Sequence, residues 1–283
     1  MKRSIGYLCN GKIIGLREFY DDEYEKFHKE VKNLIDFSNK QQLFNIVKLN
    51  YDEFKDVLAR YLSEYKNTNQ INWAVMESMV QNINMLLLNF LSSFRTFLDH
   101  TEFMIKKEYG KDSEQSKKFK TICSVQYDNY LAYRFLYKLR NYAQHCGLPI
   151  GGLKLGSEAV KGEGRKTHEY LEVYFDRDIL LSRYDSWGTV KAEIEKLPES
   201  IEITQFVNQL IKCIYEINKE VINNESDIEK IHASYEYLTK LIKPYKSYIK
   251  CLAIISVQDE KEHPKINFEW IPYHLLEMVE NVI

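Results

Sequence analysis

The chain has little of what staples small secreted domains together. Only five of its 283 residues are cysteine (Cys9, Cys123, Cys146, Cys213, Cys251), an odd number, widely spaced and without a C-x-x-C pair. That pattern excludes a disulfide framework and a zinc ribbon, and reads as reduced thiols in a cytosol. His28, His100, His168, His232, His263 and His274 show no H-E-x-x-H or other paired spacing, so no metal and no cofactor is expected. Long apolar runs are missing too. The clearest one, Met85 to Leu88, falls far short of the ~20 residues that cross a bilayer, so no membrane partner is expected. Lys2 and Arg3 lead only a few apolar residues before Asn10-Gly11-Lys12, which predicts no secretory signal and a cytoplasmic location. No repeat, low-complexity stretch or clean linker divides the chain.

A strong charge of one sign is also absent. The formal net charge of −2 argues against a protein that coats nucleic acid non-specifically, because such binding rests on many Lys and Arg contacts. The charge is nonetheless uneven. Between Lys106 and Arg140 nine basic residues face four acidic ones, whereas from Lys191 onward eleven Lys oppose sixteen Asp and Glu. The basic stretch fits either a nucleic-acid surface or a solvated helix face.

What is present is a hydrophobic content of 45%, enough for a sizeable core and one to two domains. Gly11 in the phrase Asn10-Gly11-Lys12 predicts a small hairpin over Met1 to Leu16. Helices are expected over Asp21 to Phe37 and Asp52 to Lys66, with a strand over Leu43 to Leu49. Thr68 to Asn72 supplies N-caps for a long helix that runs to about Tyr109, where Gly110 and Asp112-Ser113 break and recap the chain. After Pro149, Gly151, Gly152, Gly156, Gly162 and Gly164 crowd together with Lys154, Lys161, Arg165 and Lys166. That composition reads as a basic loop, either an RNA clamp or an ordinary connection. Tyr170 to Phe175 alternates as a half-buried strand, paired with Ile179 to Tyr184 across Asp176-Arg177-Asp178. Helices follow at about Thr204 to Asn223, with Phe206, Leu210, Ile214, Ile217 and Val221 at core spacing, and at about Asp227 to Ile242. Cys251 to Val257 reads as a strand and Pro272 to Val282 as an amphipathic helix. The expected organisation is a mixed accessory region at 1–68, a helical domain at 69–250 with an inserted loop and hairpin at about 147–190, and a tail at 251–283 packing on the bundle.

The most informative phrase is Arg140-Asn141-Tyr142-Ala143-Gln144-His145. It closes a helix whose buried stripe is Leu131, Phe135, Leu139 and Tyr142, and Gly147 and Pro149 end that helix, so His145 sits in its last turn. Free carbonyls and the negative end of the helix dipole gather there, a setting for a histidine that both takes and gives a proton. At ~100° per residue, Asn141 and His145 lie about 40° apart, whereas Arg140 and His145 are about 140° apart. Arg140 therefore reaches round on its long side chain or meets the histidine of a second copy. Taken alone, Arg140 also fits a surface charge and His145 a helix cap.

These residues resemble the HEPN superfamily, whose mark is R-x4-6-H with a polar residue, often Asn, directly after the Arg. The phrase Leu139 to Pro149 (LRNYAQHCGLP) looks like the family's motif helix and its exit, and Asn84 to His100 like its antiparallel partner. The phrase Phe175 to Leu181 also looks like HEPN-like bacterial proteins. The resemblance covers roughly residues 70 to 150. It implies a mostly α fold: an antiparallel helical bundle with a small appended β-hairpin and extra N- and C-terminal elements. It further implies a metal-independent endoribonuclease acting as a homodimer with a composite active site, a toxin or antiphage effector whose RNA substrates include tRNA and whose partners include an antitoxin or defence-system protein. In that reading His145 is the acid/base, Arg140 binds the scissile phosphate and Asn141 orients the histidine or the phosphate. Arg134 and Lys138 are expected at the RNA, as are Arg95 and Asp99, spaced i, i+4 on the preceding helix, although an intrahelical ion pair explains the latter two as well. The second reading is a non-catalytic bundle of the same type that binds RNA, a nucleotide or a partner protein.

Overall fold

The computed structural model describes residues 2–68, 71–159, 167–223, 228–245, 251–258 and 265–282. The elements run β1 (Lys2–Cys9), β2 (Lys12–Glu18), α1 (Asp21–Thr68), α2 (Trp73–Tyr109), α3 (Glu114–Asn129) and α4 (Leu131–His145). Then come β3 (Gly152–Ala159), β4 (Thr167–Asp176), α5 (Arg177–Arg183), a 3-10 turn (Gly188–Val190), α6 (Lys191–Ile194), β5 (Ser200–Glu202) and α7 (Thr204–Asn223). The chain closes with α8 (Ile228–Ile242), β6 (Leu252–Gln258), β7 (Lys265–Trp270) and α9 (Tyr273–Val282). The protein is mostly helical, with small antiparallel sheets.

The chain forms two compact units, one of residues 1–42 with 225–283 and one of residues 43–224. The division follows different lines from those read in the sequence. Its first boundary falls inside α1, and the C-terminal segment forms its strand pairings with the N-terminal hairpin. In the first unit β1 and β2 pair as expected, Asn10 and Gly11 taking φ of 49° and 75° in the turn, the mirror-image geometry that matches strand twist. β6 lies antiparallel to β1 and to β7, giving the order β2-β1-β6-β7.

In the second unit the strand expected over Leu43 to Leu49 is helix. Phe44, Val47, Phe54 and Val57 are all buried, so the i+3/i+4 period runs straight through. The branched residues favoured a strand locally, but burial along a helical stripe decides the backbone. Phe44 meets Phe97 with ring centroids 6.0 Å apart, and further along Tyr51 meets Phe90 at 6.0 Å, which sets α1 and α2 antiparallel. Asn72 caps α2 by accepting from the Val75 amide at 3.0 Å, and Ser113 caps α3 by accepting from the Ser116 amide at 3.1 Å. α7 packs against α3 and α4, with Leu210, Ile214 and Ile217 fully buried and Phe206 and Val221 at the core's edge.

The region after α4 departs from expectation. Gly152 and Gly156 belong to β3, where they stand opposite Tyr174 and Tyr170 of β4. The tyrosine rings lie across the glycines, and a Cβ at Gly156 would come within 2.6 Å of the Tyr170 ring. Lys154 is held in the same pair of strands, over the Tyr174 ring and facing Glu172. Lys161, Gly162, Gly164, Arg165 and Lys166 lie outside the described residues. Ile179 to Tyr184 forms no strand; Arg177 to Arg183 is helix α5, started by Asp176 accepting from the Ile179 amide at 2.8 Å. The third strand of that sheet is β5, paired to β4 through Phe175 and Ile201.

Candidate active site at the end of the motif helix

Helix α4 ends where its sequence says it should. Phe135, Leu139 and Tyr142 are fully buried and Leu131 partly so, which fixes the helix's rotation. α2 holds the antiparallel direction relative to α4. Phe94 packs edge-on to Tyr133, ring centroids 5.3 Å apart, while Asn84, earlier in α2, accepts from the Ile150 amide at 3.1 Å beyond the end of α4. The exit of the motif helix is thus pinned by a buried side chain. Cys146 is the half-buried C-cap, and Gly147 follows at φ 150°, more extended than the left-handed cap expected of it.

The expected residues come out differently from one another. Asn141 is half-buried and His145 exposed, one turn apart on the same side of α4. Arg140 sends Nη1 to within 3.5 Å of Asn141 Oδ1, a long contact, while its Nε is buried without a hydrogen-bond partner. Among the described residues Arg140 has no carboxylate partner, and no hydrogen bond joins it to His145. The set is therefore a guanidinium beside an amide, with an exposed imidazole one turn on.

Arg134 is not available to RNA in the way expected. Its Nε and Nη2 grip both oxygens of Glu193 at 3.1 and 2.7 Å, and Nη1 caps the carbonyls of Tyr127 and Asp128 at the end of α3. It is a structural clamp. Lys138 is half-buried and leans on the 3-10 turn, its Nζ 3.9 Å from where a Cβ at Gly188 would sit. Arg95 and Asp99 do form the intrahelical pair, Nε to Oδ2 at 2.8 Å, and both also line a cleft between α2, α3 and α4. At the floor of that cleft burial pushes the Cys123 thiol up to about 12 and raises the neighbouring Tyr133 hydroxyl as well.

One residue was missed by reading the sequence. Arg183, at the end of α5, brings Nη1 to 3.7 Å from the point where a Cβ at Gly147 would lie, and the buried Tyr142 hydroxyl, without a hydrogen-bond partner, lies 3.9 Å from the same point. A second guanidinium therefore stands at the exit of the motif helix. No short-range signal marks it, because α5 reaches α4 only through the fold. Among the described residues no group of three or more His, Cys, Asp or Glu is placed to hold a metal ion, and no helix is long and apolar enough to cross a membrane. Comparison with protein families, with curated proteins and with solved structures finds no match to this chain.

Proposed function

We propose that the unit of residues 43–224 is a HEPN-type endoribonuclease that cuts RNA without a metal, serving as a toxin or antiphage defence effector. The observation that carries this reading is the state of Arg140. It is a half-buried arginine with no carboxylate partner among the described residues, beside Asn141 and on the helix that ends in exposed His145. A cation held like this suits an anionic ligand such as a phosphodiester.

The chemistry follows from the residue types. His145 accepts the proton of a 2′-hydroxyl, whose oxygen attacks the adjacent phosphorus. Arg140 balances the charge that builds on the non-bridging oxygens. The P–O5′ bond breaks, a protonated imidazole returns a proton to the leaving oxygen, and the products carry a 2′,3′-cyclic phosphate and a 5′-hydroxyl. Asn141 orients the histidine or the phosphate, and its long contact with Arg140 sets it beside the guanidinium as well. Arg140 and His145 point about 140° apart on one helix, so Arg140 either reaches round on its long side chain or meets the histidine of a second copy. The HEPN resemblance implies the second, a site drawn from two motif helices of a homodimer.

Expression of the wild type and of His145→Ala under tight induction tests this directly. Growth arrest with discrete RNA fragments from the wild type alone is the expected result; equal growth with intact RNA in both counts against it. One feature favours a second reading, a non-catalytic module that binds RNA, a nucleotide or a partner protein: within one chain Arg140 and His145 are not joined. Binding that survives both alanine substitutions, with no cut product, selects that reading.

A further inference from the structure

We propose that the cleft between α2, α3 and α4 is a binding subsite for a nucleobase of single-stranded RNA. This rests on the ribonuclease reading above and names where the substrate strand is gripped. The cleft encloses about 440 Å³, within the range of sites that hold small planar ligands.

Its lining suits a base better than a phosphate. Arg95 and Lys120 are offset by Asp99 and Glu102, so there is no excess positive charge to gather an anion. What remains is aromatic surface with polar edges. Tyr133 and Tyr137 lie nearly parallel, 14° between ring planes, and the Arg95 guanidinium sits 4.5 Å over the Tyr137 ring. The Nε bond to Asp99 fixes the plane of that guanidinium, while its Nη groups make no hydrogen bond among the described residues. Tyr133 is almost fully buried, so a flat ring entering here meets the outer face of the Arg95 guanidinium backed by Tyr137, with donors from the Arg95 Nη groups and an acceptor from Asp99. Every base offers a π face and an edge with both kinds of polar atom, so the subsite is tolerant of sequence.

The cleft is also in line with the motif. Tyr137 and Asn141 are one turn apart on α4. From Tyr137 to His145 the helix rises about 12 Å. That is the rise of three to four stacked nucleotides at ~3.4 Å each. One strand can place a base against the Arg95–Tyr137 stack and a phosphodiester at the end of the helix.

Fluorescence anisotropy of the full chain with a labelled 2′-O-methyl oligoadenylate, which lacks the attacking hydroxyl, reads binding apart from cleavage. The wild type and Tyr137→Phe should bind alike. Tyr137→Ala should bind about tenfold more weakly, the loss expected for one stacked base. Asp99→Ala, at the half-exposed rim where it does not threaten the fold, should weaken binding severalfold. Adenosine should compete, but far more weakly than the strand. Unchanged affinity in folded Tyr137→Ala and Asp99→Ala overturns the subsite, as does adenosine that binds as tightly as the oligonucleotide. The two readings fail separately. Cleavage by the wild type with binding indifferent to Tyr137 removes the cleft alone, and Tyr137-dependent binding without any cleavage removes the ribonuclease alone.

Discussion

Arg134 and Glu193 form a two-point ion pair, with contacts of 3.1 and 2.7 Å, that ties the motif helix to the short helix α6. The same arginine closes the carbonyl end of α3. Six residues further along, Arg140 has only the Asn141 amide for company among the described residues. One helix thus carries one arginine committed to the fold and one without a carboxylate among the described residues, and that difference separates the scaffold from the proposed site.

Loss of the committed arginine should cost stability. Arg134→Ala strands Glu193 and two carbonyls, and should lower unfolding free energy by about 2 kcal/mol, the scale of hydrogen bonds to a charged group. Urea denaturation followed by circular dichroism measures it. Arg140→Ala, by contrast, should change stability by well under ~1 kcal/mol in the same titration.

The pin between α2 and the exit of α4 should matter in a similar way. Asn84→Ala leaves the buried Ile150 amide without its acceptor and should destabilise by about 1–3 kcal/mol. Proteolysis should then begin near residues 146–151 sooner than in the wild type.

Alkaline pH should weaken the second unit through Cys123. Burial raises this thiol from 9.0 to about 12, so below pH 9 folded and unfolded chains both hold the proton. Between those values the unfolded chain has released it while the folded one keeps it, and stability falls as pH rises through the window. Urea midpoints from pH 7 to 10 should drop less steeply in Cys123→Ala than in the wild type. Burial raises the Cys213 thiol and the Tyr133 hydroxyl in the same direction, so part of the slope should remain in that variant.

A composite site makes a prediction that a site within one chain does not. Arg140→Ala and His145→Ala should each be inactive alone, yet a mixture refolded together should recover activity, because a mixed dimer retains one site with both residues. A mixture as inert as its components would confine both groups to one chain. Arg183→Ala should lower kcat/KM at least tenfold with the fold intact if the second guanidinium supports the phosphate, on the scale of losing one charge-stabilising donor.

Much of this structure is local and could be read from the chain. Asn10-Gly11 fixes the hairpin, Asn72 and Ser113 start α2 and α3, and the stripe of Phe135, Leu139 and Tyr142 sets how α4 lies. What escaped depends on partners distant in sequence. Gly152 and Gly156 resembled loop residues because the tyrosine rings that need their bare backbone lie on another strand. Leu43 to Leu49 looked extended because its branched residues speak for a strand until Phe97 and Phe90 give α1 a helical face to cover. The site divides in the same way. Arg140, Asn141 and His145 are legible as a spacing on one helix, whereas the capture of Arg134 by Glu193 and the approach of Arg183 to Gly147 are products of tertiary folding.

The most direct measurement is cleavage of a defined RNA by the purified wild type and by His145→Ala in excess chelator, with the termini of the products identified. Cleavage by the wild type alone, undiminished by chelator and leaving 2′,3′-cyclic phosphate and 5′-hydroxyl ends, is the predicted result. Activity that vanishes in chelator and returns with Mg²⁺, or that persists at full rate in His145→Ala, would contradict the assignment of metal-free chemistry to this helix end.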